Sequence, residues 1–232
     1  MSRQELVFTV HRQCTAFMDV IRSGRRFLPK VGRSQRFAAD DVVYDYGDAP
    51  NCLFLVNEGV VRTSVLSSSG KELVTGVWGP GEVFGEFCLC QQQRERNERA
   101  VVVEDAELVR LGVEELIQLV SVREGALAML QLFCHRISAL EEKVAELAFA
   151  NVRTRLGLLL LRLAQDGTPQ PDGSVLCQEY PTHEEMARRI GTTREQVSAI
   201  LAQLRREGAV AYRRTGPMRI FPDRLENRIE AP

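Results

Sequence analysis

Three polar side chains near the C-terminus share one face of a predicted helix and have the chemistry to contact the edges of DNA bases. Arg194, Glu195 and Ser198 are spaced so that a helical turn brings them together. An arginine guanidinium can bind guanine through two parallel hydrogen bonds, and a glutamate can accept a hydrogen bond from cytosine N4. The spacing therefore predicts residues that read duplex DNA, with Gln196 in reserve.

Four neighbouring residues suit the DNA backbone better than the bases. His183 and Thr193 stand near the starts of the two predicted helices, where side chains commonly contact phosphate. Arg213 and Arg214 follow the second helix in a segment that we expect to form part of a wing. These four residues are predicted phosphate contacts.

The residues around these side chains predict a helix-turn-helix. Thr182, with Glu185 three residues later, predicts a capping box that opens the first helix, and Thr192 or Thr193 caps the second. Gly191 predicts the turn, because glycine adopts positive φ without strain. The crossing of the helices also requires a small residue and apolar anchors, and the chain supplies Ala187, Val197 and Ile200.

After the second helix, residues 209–214 and 218–221 predict a two-stranded wing. Residues 182–221 carry eight Arg and four Glu, a net charge of +4, which is a modest basic bias at the expected DNA-binding element. The same pattern has an alternative interpretation, a helical hairpin that contacts another protein with its charged face in solvent.

A long helix upstream carries apolar residues at alternating spacings of three and four. The seam consists of Leu130, Phe133, Ile137, Leu140, Val144 and Leu147. This heptad spacing favours pairing with a second helix and predicts a homodimer. The alternative is an amphipathic helix that packs on its own domain.

Residues 35–112 predict an antiparallel sandwich or barrel. Short strand-like segments at 53–56, 60–65, 73–78 and 100–103 are separated by glycines that mark turns. Residues 1–30 predict a short helical lead-in that ends near Pro29, and residues 152–165 predict a further apolar helix.

Composition excludes several classes of protein. The chain has 44% hydrophobic and 26% charged residues, as ordinary soluble proteins do, and no apolar run long enough to predict a membrane span or membrane partner. No secretory signal is recognisable, so we expect a cytoplasmic protein. With three His, six scattered Cys and no Ser/His/Asp or metal-spaced cluster, the sequence predicts neither an enzyme nor a metal site.

Taken in order, several motifs resemble the cyclic-AMP receptor protein / fumarate-nitrate regulator (CRP/FNR) family across roughly residues 20–222. They are the segments 81–86, 104–108, 147–149, 151–155 and 193–198. The resemblance implies an α+β fold with an N-terminal antiparallel β-roll of the jelly-roll type (1–122), a long dimerisation helix (123–150) and a C-terminal winged helix-turn-helix (151–232). It also implies palindromic DNA sites and RNA polymerase as a partner.

The resemblance also implies an effector site in the β-roll. Gly85, Glu86 and Arg96 match the family's ribose and cyclic-phosphate positions, which makes a cyclic nucleotide one candidate effector. Other positions depart from the family: Asn97 stands where a hydroxyl residue is usual, Glu98 replaces a small residue, and Leu140 and Glu141 replace the hydroxyl residues that meet adenine. A carboxylate at Glu98 disfavours phosphate unless its side chain points away.

Other sensing chemistries remain alternatives. An iron–sulfur cluster is not expected, because Cys14 stands alone near the N-terminus. Cys88 and Cys90 are close enough for redox activity, but on a strand they would point to opposite faces. A haem ligand among His11, Cys52, Cys88 and His135 is a further alternative. The DNA-reading helix also departs from the family pattern, because Ala199 stands where Arg is common, so the half-site can differ.

Overall fold

The computed structural model describes residues 32–68, 70–90, 94–213 and 216–229. The predicted N-terminal helix, His11, Cys14 and Arg214 lie outside the described residues. The chain divides into two compact units, a sensor unit that ends at Ala139 and a C-terminal unit that begins at Leu140.

The sensor unit is built on one antiparallel sheet of six strands. The central order is β1-β6-β3-β4, with β2 paired to β6 and β5 paired to β3. The strands are β1 (Arg33–Phe37), β2 (Val42–Tyr44), β3 (Cys52–Leu66), β4 (Glu72–Trp78), β5 (Val83–Phe84) and β6 (Arg99–Gly112). A 3-10 turn (Glu86–Leu89) follows β5.

Strand β3 separates two hydrophobic cores. Because successive side chains of a strand point to opposite faces, Leu53 and Leu55 enter a core beneath the helices, whereas Phe54 and Val56 enter a core inside the roll. This double burial explains why the strand appears in the sequence as an unbroken apolar run.

Two helices follow the sheet, α1 (Val113–Val120) and α2 (Arg123–Phe149). On α2, Ala128, Met129 and Leu132 pack into the core beneath the helices, and Phe133 lies half-buried at its edge. The other five predicted seam residues are exposed, namely Leu130, Ile137, Leu140, Val144 and Leu147. The helix therefore packs one face of its first half into the sensor unit and leaves an apolar stripe exposed.

No single helix among the described residues has the length and apolar character of a membrane span. The bent pair α1 and α2 passes the same test together, by length and composition only.

The C-terminal unit joins helices to a small antiparallel sheet of order β7-β8-β10-β9. Its elements are α3 (Val152–Gln165), β7 (Thr168–Pro169), β8 (Val175–Cys177), α4 (His183–Ile190), α5 (Arg194–Arg206), β9 (Val210–Ala211), β10 (Met218–Ile220) and α6 (Pro222–Glu226). The predicted wing is present as β9 and β10. The predicted α+β arrangement of sheet, long helix and helix-turn-helix is confirmed.

One local expectation is wrong. Cys88 and Cys90 were expected on a strand, but Cys88 lies in the 3-10 turn and Cys90 directly follows it. The left-handed Gly85, with φ of 79°, ends the extended backbone after β5 and starts this turn. The two thiols still face different environments, since Cys88 is buried and Cys90 is exposed.

Candidate nucleic-acid interface and effector pocket

The predicted cap at the start of α4 forms in part. The Thr182 hydroxyl accepts a hydrogen bond from the Glu185 amide at 3.2 Å, which satisfies one free donor of the first turn. The Glu185 carboxylate instead pairs with Arg189 at 3.0 Å, one helical turn later. Only the threonine half of the expected capping box is therefore seen.

The turn between α4 and α5 has the backbone that the sequence predicts. Gly191 is left-handed, with φ of 66°, and the Thr192 amide donates to the Ala187 carbonyl at 3.0 Å. Thr193 then caps α5 by accepting from the Gln196 amide at 3.4 Å. Val197 is completely buried and anchors α5 against α4.

The first turn of α5 projects three predicted reading residues into solvent. Arg194, Glu195 and Gln196 are all exposed. The Gln196 side-chain oxygen accepts a hydrogen bond from the Thr192 hydroxyl, so Gln196 is already engaged. Arg194 and Glu195 are the side chains best placed to meet a base edge.

His183 holds Ser198 in place. Its Nδ1 lies 2.9 Å from the Ser198 hydroxyl, and its ring meets Tyr212 edge-on at 6.1 Å between centroids. Burial, and secondarily the positive charge of Arg194, lower the pKa of His183. The sequence predicted a phosphate contact here, and the structure adds a positioning contact to a predicted reading residue.

The remaining basic residues of this surface differ in their surroundings. Arg213 is exposed just beyond β9. Arg219 of β10 pairs with Asp172 at 3.3 Å, and both side chains are about half exposed. Arg205 lies over the Tyr212 ring, 5.2 Å from its centroid, and so supports the residue against which His183 packs.

In the sensor unit, the effector cassette comprises Gly85, Glu86, Arg96 and Asn97. Arg96 is only 4% exposed, and its guanidinium donates to the backbone carbonyls of Gly85, at 2.9 Å, and Cys52. It also lies 4.1 Å from the centroid of the Tyr44 ring. Two of its three nitrogens are thus already bonded to the protein.

Glu86 is bound by an arginine of helix α2. Arg136 pairs with Glu86 at 2.9 Å and donates a hydrogen bond to the Val83 carbonyl. The same guanidinium lies 3.8 Å from the centroid of Trp78, whose indole nitrogen donates to the Thr63 hydroxyl at 3.0 Å. A side chain at Gly76 would collide with this indole, so the glycine makes room for the ring.

Glu98 points into the roll and not away from it. Its carboxylate accepts hydrogen bonds from the Tyr44 hydroxyl at 2.7 Å and from the Thr75 hydroxyl at 3.3 Å. Burial raises the pKa of Glu98, and the neighbouring charge of Glu86 acts in the same direction. The roll therefore presents carboxylates to any ligand that would enter.

The last three predicted ligand residues are less informative. Asn97 is exposed at a bend. Leu140 and Glu141 belong to the C-terminal unit, and their predicted place beside the cassette stays a prediction. Across the described residues, no group of three His, Cys, Asp or Glu side chains is placed to hold a metal ion.

Sequence reasoning missed the contacts that cross between elements. Arg136, Trp78, Tyr44 and Thr75 were not singled out, although they surround the cassette. One signal was available for Trp78: the only tryptophan of the chain stands two residues after Gly76, on the same face of a strand.

Comparison with known proteins identifies the domain family of each of the two units. Residues 34–123 match the cyclic nucleotide-binding domain, and residues 154–227 match the Crp-like helix-turn-helix domain. Together they define a DNA-binding transcription regulator with an effector-binding domain, not an enzyme.

Individual relatives agree. The cyclic AMP receptor protein of Thermus thermophilus is 34% identical over 75% of this chain and 76% of its own. The global nitrogen regulator of Synechococcus elongatus is 30% identical over 76% of this chain and 81% of its own. The structure of FixK2 from Bradyrhizobium japonicum superposes with a TM-score of 0.71 at 18% identity, covering 88% of this chain and all of FixK2. The chain belongs to the CRP/FNR family of transcription regulators.

The position of His183 predicts a pH dependence. Because its pKa in the folded protein lies below the ordinary value, protonation favours the unfolded chain, and stability present above about pH 6.5 is lost as the pH falls below it. We expect the urea midpoint of the wild type to fall more than that of His183→Gln when the pH is lowered from about 7.5 to about 5.5, one unit either side of the ordinary histidine pKa.

The matched control is His135→Gln, which changes an exposed histidine of α2. The fall in the urea midpoint between the two pH values should be larger for His135→Gln than for His183→Gln. Equal pH dependence of His183→Gln and the wild type would show that His183 does not titrate in the way described.

Proposed function

We propose that this regulator binds inverted-repeat DNA as a homodimer, with α5 of each protomer in a major groove. The observation that carries the proposal is the exposed first turn of α5, where Arg194 and Glu195 stand free of the core on a capped helix. In this arrangement Arg194 binds guanine and Glu195 accepts from cytosine N4.

The other predicted contacts complete the interface. Ser198, held by His183, and Gln196 supplement the base contacts. Thr193, Arg213 and Arg214 bind phosphate, together with His183. Ala199 offers no polar group to a base. The protein therefore makes fewer hydrogen bonds to the bases of its half-site than a protein with an additional arginine at this position would make.

The exposed stripe of α2 supports the homodimer. Leu130 is 60% exposed, Ile137 57%, Leu140 59% and Val144 65%. An apolar row at heptad spacing is costly in water and is covered when two such helices pair. Pairing with two-fold symmetry then presents the two α5 helices about 34 Å apart, which matches successive major grooves.

Three further features belong to the same proposal. In this proposal the protein recruits RNA polymerase, as the family resemblance implies, and it is located in the cytoplasm. An effector in the β-roll would act through α2. The alternative, in which the C-terminal helices contact protein and not DNA, is decided by the DNA experiment below.

The geometry disfavours a cyclic nucleotide as the effector. Arg96 is bonded to backbone carbonyls, Glu86 is bonded to Arg136, and Glu98 brings a carboxylate to the phosphate side. A cyclic phosphate would have to displace these contacts and approach Glu98. The two relatives named above refer to different signals, cyclic AMP and nitrogen, so family membership leaves the effector open.

Redox sensing by Cys88 also lacks support. Burial raises the pKa of the Cys88 thiol to about 11. Since the thiolate is the reactive form, a raised pKa makes this cysteine unreactive at neutral pH. A buried structural thiol describes Cys88 better than a sensor.

The dimer can be tested by placing a charge in the stripe. Val144→Glu should weaken dimerisation at least about tenfold, because the carboxylate would be buried at an apolar seam. Sedimentation velocity measures the change. Gln131→Glu adds the same charge at an exposed position outside the stripe and should remain dimeric. A monomeric wild type would refute the proposal.

DNA reading can be tested with sites selected from a random duplex library. We expect an inverted repeat and an affinity that falls steeply with salt. Arg194→Ala should cost about 1–3 kcal/mol on the selected site and relax one base position. Arg213→Ala should weaken all sequences alike and reduce the salt slope by about one. Affinity that stays flat as salt rises would favour the protein-binding alternative.

The effector argument can be tested by calorimetry with cyclic AMP and cyclic GMP. The wild type should show no saturable binding. Glu98→Ala should bind cyclic AMP with an affinity at least about tenfold above the upper limit for the wild type, because this variant lacks the carboxylate that repels the phosphate. Glu95→Ala removes an exposed carboxylate from the same segment and should behave as the wild type. Tight binding by the wild type would refute this argument.

A further inference from the structure

The last turns of α2, residues 140–149, belong to the C-terminal unit but take no part in its hydrophobic core. The core of this unit, together with the apolar side chains packed against it, consists of described residues from Val152 onwards. In the same turns of α2, Leu140, Val144 and Leu147 are exposed. The contacts described below, which join these turns to the DNA-binding helices, are polar.

Lys143 of α2 bonds the C-terminal end of α4. Its ammonium donates to the Arg189 carbonyl at 2.7 Å. Arg189 is the last residue but one of α4, and the final carbonyls of a helix have no partner within the helix. That end is also the negative end of the helix dipole, where a cation is favoured. Lys143 therefore supplies both the donor and the charge that this helix end lacks.

Arg155 of α3 makes a second connection at the same helix end. Its side chain is buried, and its Nε donates to the Ile190 carbonyl at 2.9 Å. Its Nη1 donates to the Ala150 carbonyl, also at 2.9 Å. Ile190 is the last residue of α4, and Ala150 directly follows α2. One guanidinium therefore ties the end of α2 to the end of α4.

Glu146 balances part of the positive charge in this region. Its side chain is only 3% exposed and pairs with Arg162 of α3 at 2.9 Å. Burial lowers the pKa of Lys143, and the charge of Glu146 opposes this shift. Because a buried ammonium is costly without polar partners, Glu146 and the carbonyl end of α4 together stabilise Lys143 where it lies.

The bonded end of α4 leads directly into the DNA-reading helix. Ile190 precedes the left-handed Gly191, and Thr193 caps α5 two residues later. Arg194 and Glu195 follow in the exposed first turn of α5. Contacts that fix the end of α4 therefore also fix where α5 begins.

We propose that Lys143 and Arg155 are positioning residues for DNA reading, which hold α4 and α5 in one orientation relative to the last turns of α2. The proposal rests on the proposed function, because this orientation matters only where two α5 helices of a dimer bind one inverted repeat. Leu140, Val144 and Leu147 of the apolar stripe lie on the same turns of α2. In the dimer, Lys143 and Arg155 set the separation of the two α5 helices without touching DNA.

The test measures the affinity of Lys143→Met for three duplexes by fluorescence anisotropy. They are the inverted repeat that the wild type selects, the same repeat with one base pair added between its half-sites, and a single half-site. Methionine keeps an unbranched side chain but lacks the charge and the donor. Affinity for the selected repeat should fall at least about tenfold. Affinity for the single half-site should stay at the wild-type value, because the base contacts of α5 are unchanged.

The lengthened repeat gives a readout that a merely structural role would not change. The added base pair moves the half-sites about 3.4 Å further apart and rotates one relative to the other. The wild type should therefore bind this repeat at least about tenfold more weakly than the selected one. Lys143→Met should lose most of this discrimination, because α5 helices without a fixed orientation accept either spacing.

Three further variants complete the comparison. Lys143→Arg keeps a cationic donor near the end of α4 and should keep most of the discrimination. Arg155→Lys keeps the charge but not the planar fork of donors that bonds two carbonyls, and should resemble Lys143→Met. Lys71→Met makes the same substitution at an exposed lysine of the sensor unit and should match the wild type on all three duplexes.

Two results would overturn the positioning role and leave the DNA-binding proposal standing. One is equal discrimination between spacings by Lys143→Met and the wild type. The other is a loss of affinity by the same factor on all three duplexes, which indicates a variant that is only less stable. A wild type that selects no inverted repeat would instead refute the proposed function, and the positioning role with it.

Discussion

The sensor unit depends on one buried guanidinium. Arg96 joins the 3-10 turn to β3 through the carbonyls of Gly85 and Cys52, and it rests on the ring of Tyr44 from β2. A buried charge must find polar partners or it destabilises the fold. Arg96 therefore holds together three elements that are distant in sequence. Because it donates to the carbonyl of Gly85, Arg96 also helps to position Glu86, the next residue along the chain.

From this contact a chain of polar interactions leads to α2. Gly85 precedes Glu86, Glu86 pairs with Arg136, and Arg136 lies over Trp78. The Glu86–Arg136 contact is an ion pair, and the Arg136–Trp78 contact is a cation–π interaction, so a ligand that enters the roll meets charged side chains that already have partners. An effector can change this arrangement only if it binds an alternative arrangement of these side chains more tightly.

Sequence and structure agree best where signals are local. Gly191 and Thr193 act on backbone within a few residues of themselves, so the helix-turn-helix could be predicted with its boundaries. The cassette could be predicted only in part. Glu98 meets Tyr44, 54 residues away, and Arg136 reaches Val83, 53 residues away, and no local pattern announces such pairs. Cys88 lies in the 3-10 turn that follows Gly85 and not on a strand.

The connection between sensing and reading has one covalent route in the described chain. The sensor unit ends at Ala139 and the C-terminal unit begins at Leu140, yet both lie within the single helix α2. A continuous helix transmits rotation better than a flexible linker, because its hydrogen-bonded backbone resists local bending. Arg136 lies one helical turn before that boundary, and Val144 lies one turn after it. A change in the contacts of Arg136 therefore acts on the same helix that carries the exposed residues Leu140, Val144 and Leu147.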